Sequence, residues 1–258
     1  MNKQNIPKLR FPEFKGEWEK KKLGEVAEIA RGKSKHRPRD ADFLFGGKYP
    51  FIQTGDIRKA ELYLTEFTQT YSEAGLRQSK LWDENTLCIT IAANIAETAI
   101  LKIKACFPDS VIGLTPKENK TTVLFVKNQF DKFKIEIQSL SQGIAQANLN
   151  QEKLTNIEFS FPSLLEQTRI ASFFTVIDKK LSQLKQKKNL LEEYKKGLMQ
   201  KLFSQELRFK IRNEDGELVE PPKWEKKRLG EVAFKNSSNI AANTIEDNFG
   251  DYIIYGAS

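Results

Sequence analysis

Trp18-Glu19-Lys20-Lys21-Lys22-Leu23-Gly24-Glu25-Val26-Ala27 returns late in the chain as Trp224-Glu225-Lys226-Lys227-Arg228-Leu229-Gly230-Glu231-Val232-Ala233, with Arg228 for Lys22 as the one difference. Leu9-Arg10-Phe11 precedes the first copy and Leu207-Arg208-Phe209 the second, across an eight-residue insertion, so the likeness begins upstream of the tryptophan. The period far exceeds the roughly 20 to 50 residues of solenoid arrays and marks a duplicated domain. About 35 residues from Trp224 onward are too few to close a core alone. Residues 205–258 therefore read as a linker and the truncated start of a second domain, ending at Asp251–Ser258 inside what reads as an early strand.

Between the copies the chain changes character at Pro162. About 40 residues follow without proline and with Gly197 as their one glycine. Ser163 and Glu166 have the spacing of a capping box. Phe174, Ile177, Leu181, Leu184, Leu191, Leu198 and Leu202 then recur in heptad fashion, with Lys188 and Lys195 in two of the a-type positions. A helix over 162–204, roughly 60 Å long at 1.5 Å per residue, is expected. One reading packs it on its own domain; the other is a coiled coil, favoured because such a helix outruns a domain of about 160 residues. The two seam lysines weaken symmetric parallel pairing and favour one register.

Residues 1–161 read as a mixed α/β domain. Val26–Ala30, Tyr49–Gln53, Thr86–Ala92, Thr98–Ile103, Val111–Leu114 and Thr122–Val126 have strand composition, and Ile157–Phe161 alternates as a last strand. Gln129–Leu140 reads as a helix with Phe130, Phe133, Ile137 and Leu140 on one face, and Lys117–Lys120 as a polar turn between two strands. The fold class is α+β: one mixed domain, a long coiled-coil helix, then the start of a second domain.

A formal charge of +8 and a pI near 9.2 point to a polyanionic partner, because lysine and arginine release counterions condensed on phosphates. With a single histidine, His36, most acid–base schemes near neutral pH are excluded. Cys88 and Cys106 are isolated and read as buried apolar residues, suggesting neither a zinc site nor a disulfide framework. No apolar run approaches the roughly 20 residues of a membrane span and Met1–Arg10 lacks a signal-peptide core, so the cytoplasm is the expected location.

Arg31-Gly32-Lys33-Ser34-Lys35-His36-Arg37-Pro38-Arg39 carries five cations in nine residues and reads as an exposed loop. Arg31, Lys33, Lys35, Arg37 and Arg39 suit guanine edges and phosphates; the alternative is a merely solvated loop. Gly32-Lys33-Ser34 lacks the upstream glycine of a phosphate-cradling loop. Gln53, Thr54, Arg58 and Lys59 form a second candidate contact group around a turn in which Asp56 satisfies backbone amides. Arg77, Lys80 and Asn94 are further candidates by chemistry. Pro108-Asp109 followed by Glu118-x-Lys120 loosely fits a metal-dependent nuclease, but Glu118 lies in a polar turn where that chemistry needs a strand.

These pieces resemble the specificity subunit of type I restriction-modification systems. The resemblance rests on Trp18–Ala27, on Tyr49-Pro50-Phe51-Ile52-Gln53-Thr54-Gly55-Asp56-Ile57, and on Ala92-Ala93-Asn94-Ile95-Ala96-Glu97-Thr98-Ala99-Ile100. Gln146-Ala147-Asn148-Leu149 and Pro162-Ser163-Leu164-Leu165-Glu166-Gln167-Thr168-Arg169-Ile170-Ala171 complete it. It implies two target-recognition domains separated by long helices that pair antiparallel, each domain reading half of a bipartite DNA site while the helices dock methyltransferase subunits. It also implies a chain with no catalysis and no cofactor of its own. S-adenosylmethionine belongs to the modification subunit, and ATP and magnesium to partner subunits including the restriction subunit. No Asn/Asp-Pro-Pro-aromatic methylation motif occurs here. A half-length chain is expected to pair with a second copy through its long helix as a homodimer on a palindromic site. The alternative is a truncated helical scaffold that binds the methyltransferase but not DNA.

Overall fold

The computed structural model describes residues 6–92, 94–139 and 149–234. Leu140, Ala93, Gln146–Asn148 and Asp251–Ser258 lie outside them. The chain divides into two compact units, Met1–Lys185 and Gln186–Ser258, with the boundary inside the long helix.

The first unit begins with β1 (Glu19–Lys22), α1 (Leu23–Val26) and β2 (Ala27–Arg31). After a 3-10 turn at Asp42–Leu44 come β3 (Phe45–Phe51), α2 (Thr54–Lys59), β4 (Tyr63–Leu64), β5 (Gln69–Tyr71) and α3 (Glu73–Arg77). Then follow β6 (Leu87–Thr90), β7 (Thr98–Leu101), β8 (Val111–Pro116), α4 (Val123–Lys132), α5 (Lys134–Ser139), α6 (Gln151–Asn156) and β9 (Glu158–Phe161). The 40-residue α7 (Leu164–Phe203) starts here and continues into the second unit. That unit adds β10 (Ile211–Arg212), β11 (Leu218–Val219) and α8 (Leu229–Val232).

The central sheet has the order β2-β8-β6-β7-β4, antiparallel except for the parallel β4–β7 pair. Leu87, Ile89, Ile100, Ile112 and Leu114 face Phe125, Val126, Phe130 and Phe159 on one side. Cys88, Ala99, Leu101 and Val111 face Ile52, Ile57, Trp82 and Phe107 on the other. A sheet covered on both faces needs no polar alternation, which is why these strands read as continuous apolar runs. β3 and β5 form a separate two-stranded antiparallel sheet over Leu44, Phe51, Tyr71 and Cys106.

Several expectations are corrected. Thr122–Val126 is not a strand: the Thr122 hydroxyl accepts the Phe125 N–H at 3.2 Å and caps α4, so a β-branched run becomes a helix start once Phe125 and Val126 bury against the sheet. Lys117–Lys120 accordingly joins a strand to a helix. The helix expected over Gln129–Leu140 starts earlier and is broken at Phe133 into α4 and α5. Val26 closes α1, so the strand begins at Ala27. Gln53–Lys59 is a helix start in place of a glycine turn.

The capping box at α7 is half made. Ser163 Oγ accepts the Glu166 N–H at 3.3 Å, while the Glu166 carboxylate takes Arg10 Nε and Nη2 at 2.8 and 2.7 Å and the Trp18 indole N–H at 3.3 Å. Gln167, equally buried, accepts from Thr121 Oγ1 at 2.7 Å and donates to Pro162 O at 3.0 Å. The first turn of α7 is thereby tied to both the N-terminal triplet and the turn before α4. The hydrogen bond to Glu166 raises the Arg10 pKa above its ordinary value.

Further along α7, Phe174, Ile177, Leu181, Leu184 and Leu191 are exposed, and Leu198 and Leu202 are half-buried. Among the described residues no helix is long and apolar enough to cross a membrane.

Candidate nucleic-acid interface

β2 ends at Arg31, but the chain stays extended. Gly32 turns inward, where an added Cβ would lie 2.3 Å from Pro108 O and 2.5 Å from Phe107 O, so only glycine fits. Its N–H donates to Val111 O at 2.9 Å, and the Lys33 N–H to Phe107 O at 3.2 Å. Ser79 Oγ donates to Lys33 O at 2.8 Å, Ser34 Oγ meets the Tyr71 hydroxyl at 3.4 Å, and the His36 N–H donates to Gln78 Oε1 at 2.9 Å.

A strand-like alternation results. Gly32 and Ser34 are buried and His36 is half-buried, while Arg31, Lys33, Lys35, Arg37 and Arg39 are all exposed. The backbone is thus held at Gly32, Lys33 and His36 and the Ser34 side chain is anchored beside them, while the five basic side chains are exposed. Arg37 is turned onto the loop itself, donating to Ser34 O and His36 O at 2.7 Å each. Arg39 pairs with Asp109 Oδ2 at 2.7 Å, and Arg31 Nε donates to the Asp109 carbonyl. Lys33 and Lys35 have no ion-pair partner among the described residues.

Segment 105–109 organises the surroundings. Its Phe107 and Asp109 hold the basic loop, its Cys106 backbone exchanges hydrogen bonds with Ile52 N and Pro50 O at 2.8 Å each, and Ala105 pairs with Trp82. The Trp82 ring stacks on Phe107 at 4.8 Å, and Lys80 Nζ lies 3.6 Å over that ring. Arg77 ends α3, immediately before the Gln78 and Ser79 that grip the loop. The structure therefore brings Arg31–Arg39, Arg77 and Lys80 around one strip of chain. Burial pushes the Cys106 thiol pKa up, against a hydrogen bond with Ser79, and does the same more strongly at Cys88.

Gln53, Thr54, Arg58 and Lys59 sit on α2, reached through the Ile52–Cys106 link. Buried Asp56 accepts the Gln53 N–H at 2.9 Å and the Thr68 hydroxyl at 3.4 Å, the structural duty expected of it. Gln53 is also engaged by Gln69, which leaves Arg58 and Lys59 as the exposed cations. Beside this group the Tyr49 hydroxyl, and then Lys48, hold the Glu73 carboxyl below its usual range. Asn94 is exposed in the β6–β7 connection at φ 55°, at the same end of the sheet as Arg31 and Ser110.

Asp109 and Glu118 cannot share a metal ion. One precedes β8 and the other follows it, so a six-residue strand of roughly 20 Å separates them. Among the described residues no cluster of three or more His, Cys, Asp or Glu could hold a metal. Sequence reasoning missed Gln78, Ser79, Tyr71 and the loop-gripping role of Asp109; the alternation of small and basic residues at 31–35 was the available signal.

Residues 15–193 match the family described as the type I restriction modification DNA specificity domain. Over 236 residues the chain is 24% identical to the type I restriction enzyme MjaIX specificity subunit of Methanocaldococcus jannaschii, covering 87% of this chain and 54% of that protein. The chain spans about half the length of the curated relatives it matches. In fold it is similar to a chain from a structural study of complex assembly and conformational transition of the type I R-M system (TM-score 0.56, 21% identity, 76% of this chain and 46% of that one). It is likewise similar to the S subunit of a type-I restriction-modification system from M. genitalium (TM-score 0.53, 18% identity, 77% and 48%).

Proposed function

The chain belongs to the type I restriction modification DNA specificity domain family, and from that premise we propose that residues 1–161 form a target-recognition domain reading one half of a bipartite duplex DNA site. The observation that carries this reading is the loop at 31–39, whose backbone is fixed from Gly32 to His36 and whose five cations are exposed. A prepaid backbone lets side chains meet phosphates and base edges without ordering a loop at the moment of binding. Lys33 and Lys35 are the first phosphate ligands in this scheme. Arg77, Lys80, Arg58 and Lys59 extend the basic surface, while Gln53, Thr54 and Asn94 supply amide and hydroxyl groups for base edges.

Residues 162–204 act as the spacer and residues 205–258 as the start of a second recognition domain. The exposed stripe Phe174, Ile177, Leu181, Leu184 and Leu191, with Leu198 and Leu202, pairs as a coiled coil with a second long helix, supplied by another copy of the chain in a homodimer. The chain itself performs no catalysis. A modification subunit carrying S-adenosylmethionine and a restriction subunit using ATP and magnesium act where it directs them, in the cytoplasm.

Binding of the purified chain to duplex DNA, followed by fluorescence anisotropy across a salt series, tests the reading. The logarithm of the binding constant should fall linearly with that of salt, and Lys33→Gln with Lys35→Gln should flatten the slope by roughly 1.8, about 0.9 for each phosphate contact. Binding without a salt slope would favour a helical scaffold that docks the methyltransferase alone. Light scattering reports the pairing, and a strict monomer with DNA present would overturn the homodimer.

A further inference from the structure

Among the described residues Asp109 is the one acidic side chain paired with the basic loop, and its carboxylate takes no part in fixing the loop backbone. The backbone from Gly32 to His36 is fixed by Val111 O, Phe107 O, Ser79 and Gln78, with the Ser34 hydroxyl against that of Tyr71, and none of these contacts involves the Asp109 carboxylate. That carboxylate, in a side chain 30% exposed, instead meets the guanidinium of Arg39, itself 48% exposed, at 2.7 Å. The Asp109 carbonyl takes Arg31. Two of the five cations are therefore held by one residue, and Arg37 is spent on the loop's own carbonyls.

A carboxylate competes for a guanidinium with the oxygens of a phosphate and with the O6 and N7 acceptors of a guanine edge. It also places a negative charge beside any phosphate that approaches Arg39. We propose that Asp109 is a positioning residue for DNA discrimination: it occupies Arg39 and anchors Arg31, withholding both from random phosphates, so that only a duplex presenting an acceptor at the right place displaces it. This rests on the reading of residues 31–39 as a DNA-binding loop and assigns that loop an internal competitor.

The test uses the full chain, a duplex of random sequence and the Asp109→Asn variant, which keeps the side chain's size and the backbone carbonyl. Releasing Arg39 should tighten binding at low salt several-fold and steepen the salt slope by roughly 0.9 for each extra phosphate engaged. Adding Arg39→Gln to Asp109→Asn should return the slope by about 0.9. A merely structural Asp109 would instead lower both the thermal midpoint and the affinity while leaving the slope alone, and that result overturns the proposal. So does an unchanged slope in Asp109→Asn when the parent chain shows one. If the parent chain itself binds DNA with no salt slope, the DNA-binding reading fails first, and the competitor with it.

Discussion

The decapeptide at Trp18 and its repeat at Trp224 follow one backbone course in opposite surroundings. Lys22 sits at φ −72°, ψ 146° and Arg228 at −75°, 149°; Ala27 at −143°, 155° and Ala233 at −149°, 144°. In each copy the glutamate three residues on accepts the N–H before the turn, Lys22 to Glu25 at 3.2 Å and Arg228 to Glu231 at 3.3 Å. Yet Leu23 and Val26 are 0% and 1% exposed, whereas Leu229 and Val232 are 79% and 63% exposed. The first copy has β9 paired to β1 and Thr155 packed on Gly24; Glu225–Arg228 form no strand. A single helical turn and its cap are local products of the sequence, while a strand exists only when another strand supplies its hydrogen bonds.

Paired substitutions would break or sharpen this contrast. The largest difference is expected at the leucines: Leu23→Ala should cost about 2–5 kcal/mol in urea unfolding, and Leu229→Ala under about 0.5 kcal/mol. Equal losses would mean that the second copy is buried in solution. Next comes the arginine of each upstream triplet. Glu166→Gln removes the charge and replaces one of the two oxygens that accept from Arg10 and Trp18 with an NH2 group, and should lower the thermal midpoint clearly, whereas Arg208→Gln, whose guanidinium is held by Pro222 O, should scarcely move it. The smallest difference is at the glycines. A Cβ on Gly24 would meet Thr155 Cγ2 at 2.5 Å, while one on Gly230 meets nothing within 4 Å. Gly24→Ala should therefore destabilise by about 1–3 kcal/mol and Gly230→Ala should be neutral or stabilise by up to about 1 kcal/mol, as thermal melts would show.

The same contrast explains what could be read from residues alone. α7 was legible because a proline-free heptad run needs no partner to declare its period, and β6, β7 and β8 because burial on both faces leaves apolar runs. β1 was not: Glu19-Lys20-Lys21-Lys22 is an edge strand whose only warrant is Phe159–Phe161 opposite, some 140 residues away. Thr122–Val126 misled because strand-forming side chains also fill a helix face when Thr122 caps it. At the candidate interface the cations were plain from charge, but their outward alignment depends on Gly32 and Ser34 meeting Phe107 and Tyr71, residues far apart in sequence. The α7 root was half legible, since Glu166 was visible as a cap and invisible as the ligand of Arg10.

The arginine of each triplet also clasps the chain two residues before its tryptophan, Arg10 on Gly16 O and Arg208 on Pro222 O. The later copy carries eight more residues between those points, and they leave as the β10–β11 hairpin, closed at Asn213–Gly216 with the clasp intact. The clasp is compatible with both lengths. A short peptide tag inserted at the exposed hairpin tip is expected to leave the thermal midpoint of the chain unchanged in a melt.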